Sequence, residues 1–167
     1  YFFKMRERIK RIKKFLDEID VDQISVIYDP QSNFSNKQSY PLDFQIFMER
    51  IGELVINTNG DCDATGYQNI CLEKPHPLCT NEAKFCEDET NVYDYSNRTD
   101  GDYFTGLRKN INIIASDING EMYGFDTTYT PYKFVSAEHN IKADDKVSFL
   151  DWFEHFLQNQ DNLGYQN

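Results

Sequence analysis

Carboxylate and tyrosine side chains are concentrated in one stretch of the sequence, between residues 82 and 103. Residues 82–102 hold seven Asp and Glu against two Lys and Arg, and no hydrophobic period marks this stretch as core. Carboxylates pair with Arg and Lys, while Tyr supplies rigid contact area at protein interfaces. We therefore predict that this surface binds a basic partner. The residues assigned to it are Glu87, Asp88, Glu89, Tyr93, Asp94, Tyr95, Asp100, Asp102 and Tyr103, with Asp61 and Asp63 as a second acidic position.

Four cysteines lie within one 25-residue window, at Cys62, Cys71, Cys79 and Cys86. Structural zinc sites usually present pairs of ligands about two to four residues apart, so that one tight turn aims both thiolates at the ion. Here eight, seven and six residues separate the neighbours. The sequence therefore predicts reduced cysteines. A zinc site, to which His76 could add a ligand, and two disulfides are the alternatives.

Other motifs that carry chemistry are incomplete. Asp61 and Asp63 match the start of a calcium loop, but Leu72 stands where the loop needs a carboxylate. Gly101 and Gly106 have the spacing of a phosphate-binding loop without its Lys and Ser or Thr. The three histidines follow no known catalytic pattern. We predict a non-catalytic chain without cofactor or metal.

Charge is distributed unevenly along the chain. The net charge is −11, yet residues 4–14 carry seven basic groups and one acidic group, so the remainder carries −17. A field of this sign repels nucleic acid and steers a basic protein towards the chain. No apolar run is long enough to span a bilayer. We expect a cytoplasmic protein that binds neither nucleic acid nor membrane, although the basic helix at the start leaves membrane-surface binding as an alternative.

Hydrophobic periodicity predicts an α+β fold. Apolar residues at helical spacing predict amphipathic helices at residues 5–20, after Pro41 up to Gly52, and at 147–158. Strand-like runs lie at residues 24–28, 53–57, 67–73 and 132–136. Residues 111–126 predict a hairpin with a type I′ turn at Asn119-Gly120. Residues 74–106 have no period and predict a long acidic loop insertion.

These elements, in this order, resemble the SUKH superfamily, which contains the fungal cell-wall assembly regulator and bacterial toxin-immunity proteins. The resemblance rests on the Pro-opened helix with its Ile51-Gly52 end, on the hairpin region 110–140, and on the closing helix SFLDWFEHFL at 148–157. It carries no catalytic residue over to this chain. It implies one domain over residues 1–167, with a mostly antiparallel β-sheet flanked by helices, including the N-terminal and C-terminal amphipathic helices.

The resemblance also implies a function. Bacterial members of the family neutralise a cognate toxin, often a nuclease, and nucleases are commonly basic where they hold phosphates. The prediction is therefore an immunity protein that neutralises a basic toxin, with a nuclease as the expected class, through an acidic surface. The alternatives are a regulatory scaffold like the fungal members, and an uncharacterised enzyme or metal-binding domain.

Overall fold

The computed structural model of the chain describes residues 1–19, 24–58, 68–75, 111–119, 121–136, 141–160 and 163–166. The described residues form three α-helices and six β-strands. The helices are α1 (Phe2–Glu18), α2 (Leu42–Arg50) and α3 (Phe149–Gln158). The strands are β1 (Ile24–Asp29), β2 (Glu53–Thr58), β3 (Gln68–Leu72), β4 (Ile111–Asp117), β5 (Met122–Asp126) and β6 (Lys133–Ser136).

The strands form one antiparallel sheet in which each strand pairs with its neighbour in sequence, in the order β1-β2-β3-β4-β5-β6. Successive side chains of a strand point to opposite faces, so alternate residues line each face. One face joins the main hydrophobic core through Leu54, Ile56, Ile70, Leu72, Tyr123, Phe125 and Phe134. The same core includes the buried faces of all three helices. The predicted α+β class, with an antiparallel sheet and flanking helices, is confirmed.

Helix α1 buries the side that its sequence period predicts. Met5, Ile9, Ile12 and Leu16 are buried and are spaced by four, three and four residues, which places them on one side of a helix. The helix begins at Phe2, before the predicted start at residue 5, and ends at Glu18. The N-terminal helix is thus amphipathic as predicted.

A buried carboxylate links α1 to α3 and to the C-terminal segment. Glu154 is 3% exposed, and Arg8 Nε donates a hydrogen bond to its Oε1. Arg11 Nη2 lies 3.5 Å from Glu154 Oε2, and the Tyr165 hydroxyl donates to the same oxygen at 2.9 Å. A buried carboxylate without cationic partners would be strongly destabilising. Two of the basic residues near the start of the chain therefore hold the fold together.

A glycine ends α2, as the sequence predicts. The backbone N–H groups of Ile51 and Gly52 both donate to the carbonyl of Phe47, at 2.8 and 3.0 Å. Gly52 has a φ of +83°, which L side chains rarely adopt, and a Cβ built there would lie 2.0 Å from the carbonyl oxygen of Asp29. The close approach of β1 to the end of α2 therefore requires glycine.

At the start of α2 the apolar residue is exposed and the acidic residue is buried. Leu42 is 43% exposed, although apolar spacing alone would place it on the buried face of the predicted helix. The next residue, Asp43, is only 4% exposed, and its Oδ2 accepts a hydrogen bond from the backbone N–H of Leu150 at 3.0 Å. The first turn of α2 faces the N-terminus of α3, whose unpaired N–H groups a carboxylate can satisfy and a leucine cannot.

Helix α3 starts at a side-chain cap. The Ser148 hydroxyl accepts the backbone N–H of Asp151 at 3.1 Å, whereas the Asp151 carboxylate accepts a hydrogen bond from Arg8. The apolar face of the helix packs aromatic rings against α2, with the Phe47 ring centroid 5.0 Å from those of both Phe149 and Phe153. Edge-to-face contacts at this distance add to the free energy of burial.

The hairpin of β4 and β5 is present, but its turn is longer than predicted. The N–H of Asp117 donates to the carbonyl of Glu121 at 3.0 Å, so three residues lie between the paired positions. A two-residue type I′ turn would pair Ile118 with Glu121 instead. The Asp117 side chain accepts the N–H of Asn119 at 2.9 Å, a local bond that favours the longer turn. Gly120 lies outside the described residues.

The predicted acidic insertion at 74–106 lies outside the described residues, apart from residues 74 and 75. Among the residues that are described, one hydrophobic cluster extends from Met5 in α1 to Tyr165 near the C-terminus. In these parts of the chain, every helix is too short or too polar to cross a bilayer.

Candidate functional site: an acidic pocket

A pocket of about 570 Å³ lies between α3 and the turn that joins β4 to β5. Its volume is within the range of about 300–1,000 Å³ that is common for ligand sites. We call it the acidic pocket, because its ionisable side chains are three carboxylates and one imidazole, with no Lys or Arg among the described lining residues. The lining consists of Asn69, Asp117, Ile118, Asn119, Glu121, Ile141, Val147, Asp151, Trp152, His155, Phe156, Asn159 and Gln160.

Asp117 is held in the pocket wall by the turn that follows β4. Its Oδ1 accepts the backbone N–H groups of Asn119 and Glu121, at 2.9 and 3.1 Å. Its Oδ2 accepts the hydroxyl of Tyr123 at 2.8 Å. Asp often forms turns by bonding to the backbone two residues later. These three donors are neutral, so they orient the carboxylate without cancelling its charge.

Glu121 places a second carboxylate beside the first. It is 3% exposed, and its Oε2 accepts the Tyr123 hydroxyl at 2.8 Å. Tyr123 has one hydroxyl proton, so it donates to only one of the two carboxylates at a time. Burial raises the pKa of Tyr123, and its bonds to Glu121 and Asp117 raise it further, because a phenolate would add a third negative charge. Tyr123 therefore remains a neutral donor between two acids.

One wall of the pocket is apolar. Ile118 and Val147 lie at the rim, with side chains that are 44% and 38% exposed. Deeper in the wall, Trp152 and Phe156 of α3 are 4% and 9% exposed. Hydrocarbon next to carboxylates suits a ligand that combines an apolar part with a cation, since each part then meets a complementary surface.

Helix α3 contributes the remaining ionisable groups. Asp151 Oδ1 accepts a hydrogen bond from Arg8 Nη2 at 2.8 Å, so an arginine of α1 partly balances the charge of this carboxylate. His155, one turn further along, places its Nε2 at 2.9 Å from the side-chain nitrogen of Asn159. His155 also lines the acidic pocket.

Side-chain amides complete the lining. Asn69 Nδ2 donates to Gln160 Oε1 at 3.1 Å and so connects β3 to the end of α3. Asn69 Oδ1 is buried and accepts no hydrogen bond from the described residues. A buried carbonyl oxygen without a donor carries a cost of about 1–3 kcal/mol.

The residues predicted from sequence to bind a partner lie outside the described residues. They are Glu87, Asp88, Glu89, Tyr93, Asp94, Tyr95, Asp100, Asp102, Tyr103, Asp61 and Asp63. The prediction that they form an acidic binding surface therefore remains a prediction.

Sequence reasoning missed Asp117 and Glu121, because the Asn119-Gly120 pair was interpreted as a structural turn alone. The sequence did contain a signal, because Asp117 and Glu121 are acids four residues apart on either side of that turn. A hairpin places two such residues opposite each other. No pattern in the sequence shows that α3 lies against this turn.

Cys71, on β3, is a free and half-buried thiol whose pKa is raised, chiefly by burial. Cys62, Cys79 and Cys86 lie outside the described residues, so the predicted redox state of the group is untested. Within the described ranges, no three His, Cys, Asp or Glu side chains are placed to hold a metal ion together.

Comparisons with protein-family models, curated proteins and solved structures find no match for this chain. The resemblance to the SUKH superfamily therefore rests on the sequence features given above and remains a prediction.

Proposed function

We propose that the chain is a non-catalytic domain that binds a basic protein, with the acidic pocket as part of the contact surface. The observation that supports this proposal most directly is the pocket lining, which holds three carboxylates and, among the described residues, no Lys or Arg, although Asp151 also bonds Arg8 of α1. A cationic side chain of a partner complements such a site. The exposed rim at Ile118 and Val147 offers apolar contact area beside it.

The charge distribution of the whole chain supports the same partner class. Residues other than 4–14 carry a net charge of −17. Within 4–14, Arg8 and Arg11 lie against the buried Glu154, so part of the basic charge is used inside the fold. The long-range field would raise the association rate of a basic protein and would weaken with salt.

The narrower form of the proposal is an immunity protein that neutralises a cognate toxin, with a nuclease as the expected toxin class. It follows from the resemblance to the SUKH superfamily and from the positive charge that nucleases need to hold phosphates. A regulatory scaffold that recruits a basic protein is the second candidate, since the same acidic pocket would serve it.

Ile118→Arg tests the proposal. Where a neighbouring gene encodes a basic protein, that protein is the partner to assay, by surface-based kinetics at low and moderate salt. The variant places a cation in the acidic pocket, so we expect affinity to fall by about tenfold or more. Ile27→Arg is the matched control, because Ile27 is 68% exposed on β1 and does not line the pocket. Its affinity should stay within about twofold of the wild type.

A second variant separates the pocket from the acidic segment at 82–102. Replacing Glu87, Asp88 and Glu89 by Lys should reduce the association rate by about tenfold, with a smaller loss at higher salt. If Ile118→Arg and Ile27→Arg bind equally well, the pocket is not part of the contact surface. If the triple variant also associates as fast as the wild type at low salt, the acidic binding function itself is contradicted.

A further inference from the structure

Asp117 carries a charge in the acidic pocket that meets no cationic group among the described residues. Its hydrogen-bond donors are two backbone N–H groups and the Tyr123 hydroxyl, all of them neutral. Asp151, by contrast, shares its charge with Arg8 at 2.8 Å. A cation entering the pocket is therefore attracted more strongly to the Asp117 end, where β4 meets its turn, than to Asp151.

The apolar wall begins next to the Asp117 carboxylate. Ile118 follows Asp117 directly and is 44% exposed, and Phe156 of α3 lines the same pocket. If the cation of a ligand lies at Asp117, the atoms bonded to that cation lie along these two hydrocarbon side chains. An unbranched chain of methylene groups fits such a wall and gains free energy from its burial.

We infer that the acidic pocket receives an arginine side chain of the protein partner, with the guanidinium at Asp117 and the methylene stem along Ile118 and Phe156. This inference rests on the proposed function. A guanidinium spreads its charge over a plane with five N–H donors, so it can donate to the lone pair that Asp117 Oδ2 keeps beside Tyr123 and still offer donors to other acceptors of the pocket. A lysine ammonium has three donors and is more strongly hydrated, so it loses more solvation on entering a pocket with an apolar wall.

The test uses Nα-acetyl-arginine-N-methylamide as the probe, because it isolates the side chain from the rest of a partner. Trp152 is the one tryptophan of the chain and lines the pocket, so its indole N–H gives a single NMR signal that reports occupancy. We expect a saturable shift of this signal, with a dissociation constant of about 1–10 mM for so small a ligand. The lysine analogue should bind more weakly. The neutral citrulline analogue should bind about tenfold or more weakly, as expected for loss of a charge-assisted hydrogen bond.

Two variants assign the signal to the pocket. Asp117→Asn keeps an acceptor for the turn but removes the charge, and should weaken binding of the arginine probe by about tenfold. Ile118→Arg should abolish it by occupying the pocket from within, whereas Ile27→Arg should leave it unchanged. A thermal melt of each variant shows that it is folded.

The outcomes separate this inference from the proposed function. Equal shifts with the arginine and citrulline analogues, or no shift at all while the basic protein still binds, would overturn the arginine site and leave the binding function standing. A saturable arginine signal together with no binding of any basic protein would overturn the proposed function, and with it the assignment of the arginine to a protein partner.

Discussion

Replacing Asp43 by alanine should lower the free energy of unfolding by about 3 kcal/mol. The Asp43 carboxylate is 4% exposed and accepts the backbone N–H groups of Phe44 and Leu150, at 2.8 and 3.0 Å. Each buried N–H left without an acceptor costs about 1–3 kcal/mol. Two such groups would together cost about 2–6 kcal/mol. The wild type also bears the cost of burying an ionised carboxylate, which the variant avoids, so we expect a loss in the lower half of this range.

The pH dependence of this effect tests its physical basis. Burial raises the pKa of Asp43 more than its two N–H hydrogen bonds lower it. The folded protein therefore holds this proton more tightly than the unfolded chain does. The resulting stability is fully present below the unfolded pKa of about 3.9 and is lost as pH rises through the folded pKa. Asp43→Asn does not titrate, so the stability of the wild type relative to this variant should be greatest in acid and should decline towards pH 7.

Urea unfolding of the wild type, Asp43→Ala and Asp43→Asn at several pH values measures both effects. A loss of about 3 kcal/mol corresponds to a melting temperature about 6–12 °C lower for a chain of this size. Glu49→Ala is the control, because Glu49 is an exposed acid on the same helix. A loss below about 1 kcal/mol in Asp43→Ala would refute the proposed link between α2 and α3. If the stability of the wild type relative to Asp43→Asn instead grew with pH, the N–H hydrogen bonds to the carboxylate would outweigh the cost of burying it.

Two further substitutions test contacts between distant elements. Gly52→Ala should lower the free energy of unfolding by more than about 2 kcal/mol in urea melts, because φ is +83° and the new Cβ would lie 2.0 Å from the Asp29 carbonyl oxygen. A variant as stable as the wild type would show that β1 and α2 separate easily. Glu154→Gln should cost about 1–3 kcal/mol by the same measurement, since it weakens the pairing with Arg8 and Arg11. Glu7→Gln, at an exposed acid of α1, is its control.

The interior of each helix and strand was predictable from local sequence. The residues at α1 positions 5, 9, 12 and 16 are buried because a helix repeats every 3.6 residues, whatever lies opposite. Gly52 ends α2 and Ser148 starts α3 through bonds that reach five residues at most. Such features depend on neighbours in the chain, so composition and spacing are enough to predict them.

The acidic pocket and the buried carboxylates depend on contacts that sequence spacing does not encode. Asp43 and Leu150 are 107 residues apart, and Arg8 and Glu154 are 146 apart. Whether an acid is solvated, paired or part of a binding site is decided by which element packs against it, and that packing is a property of the whole core. The sequence by itself determined the helices, the strands and the acidic charge; only the tertiary structure placed Asp117 against α3 and buried Asp43 at its N-terminus.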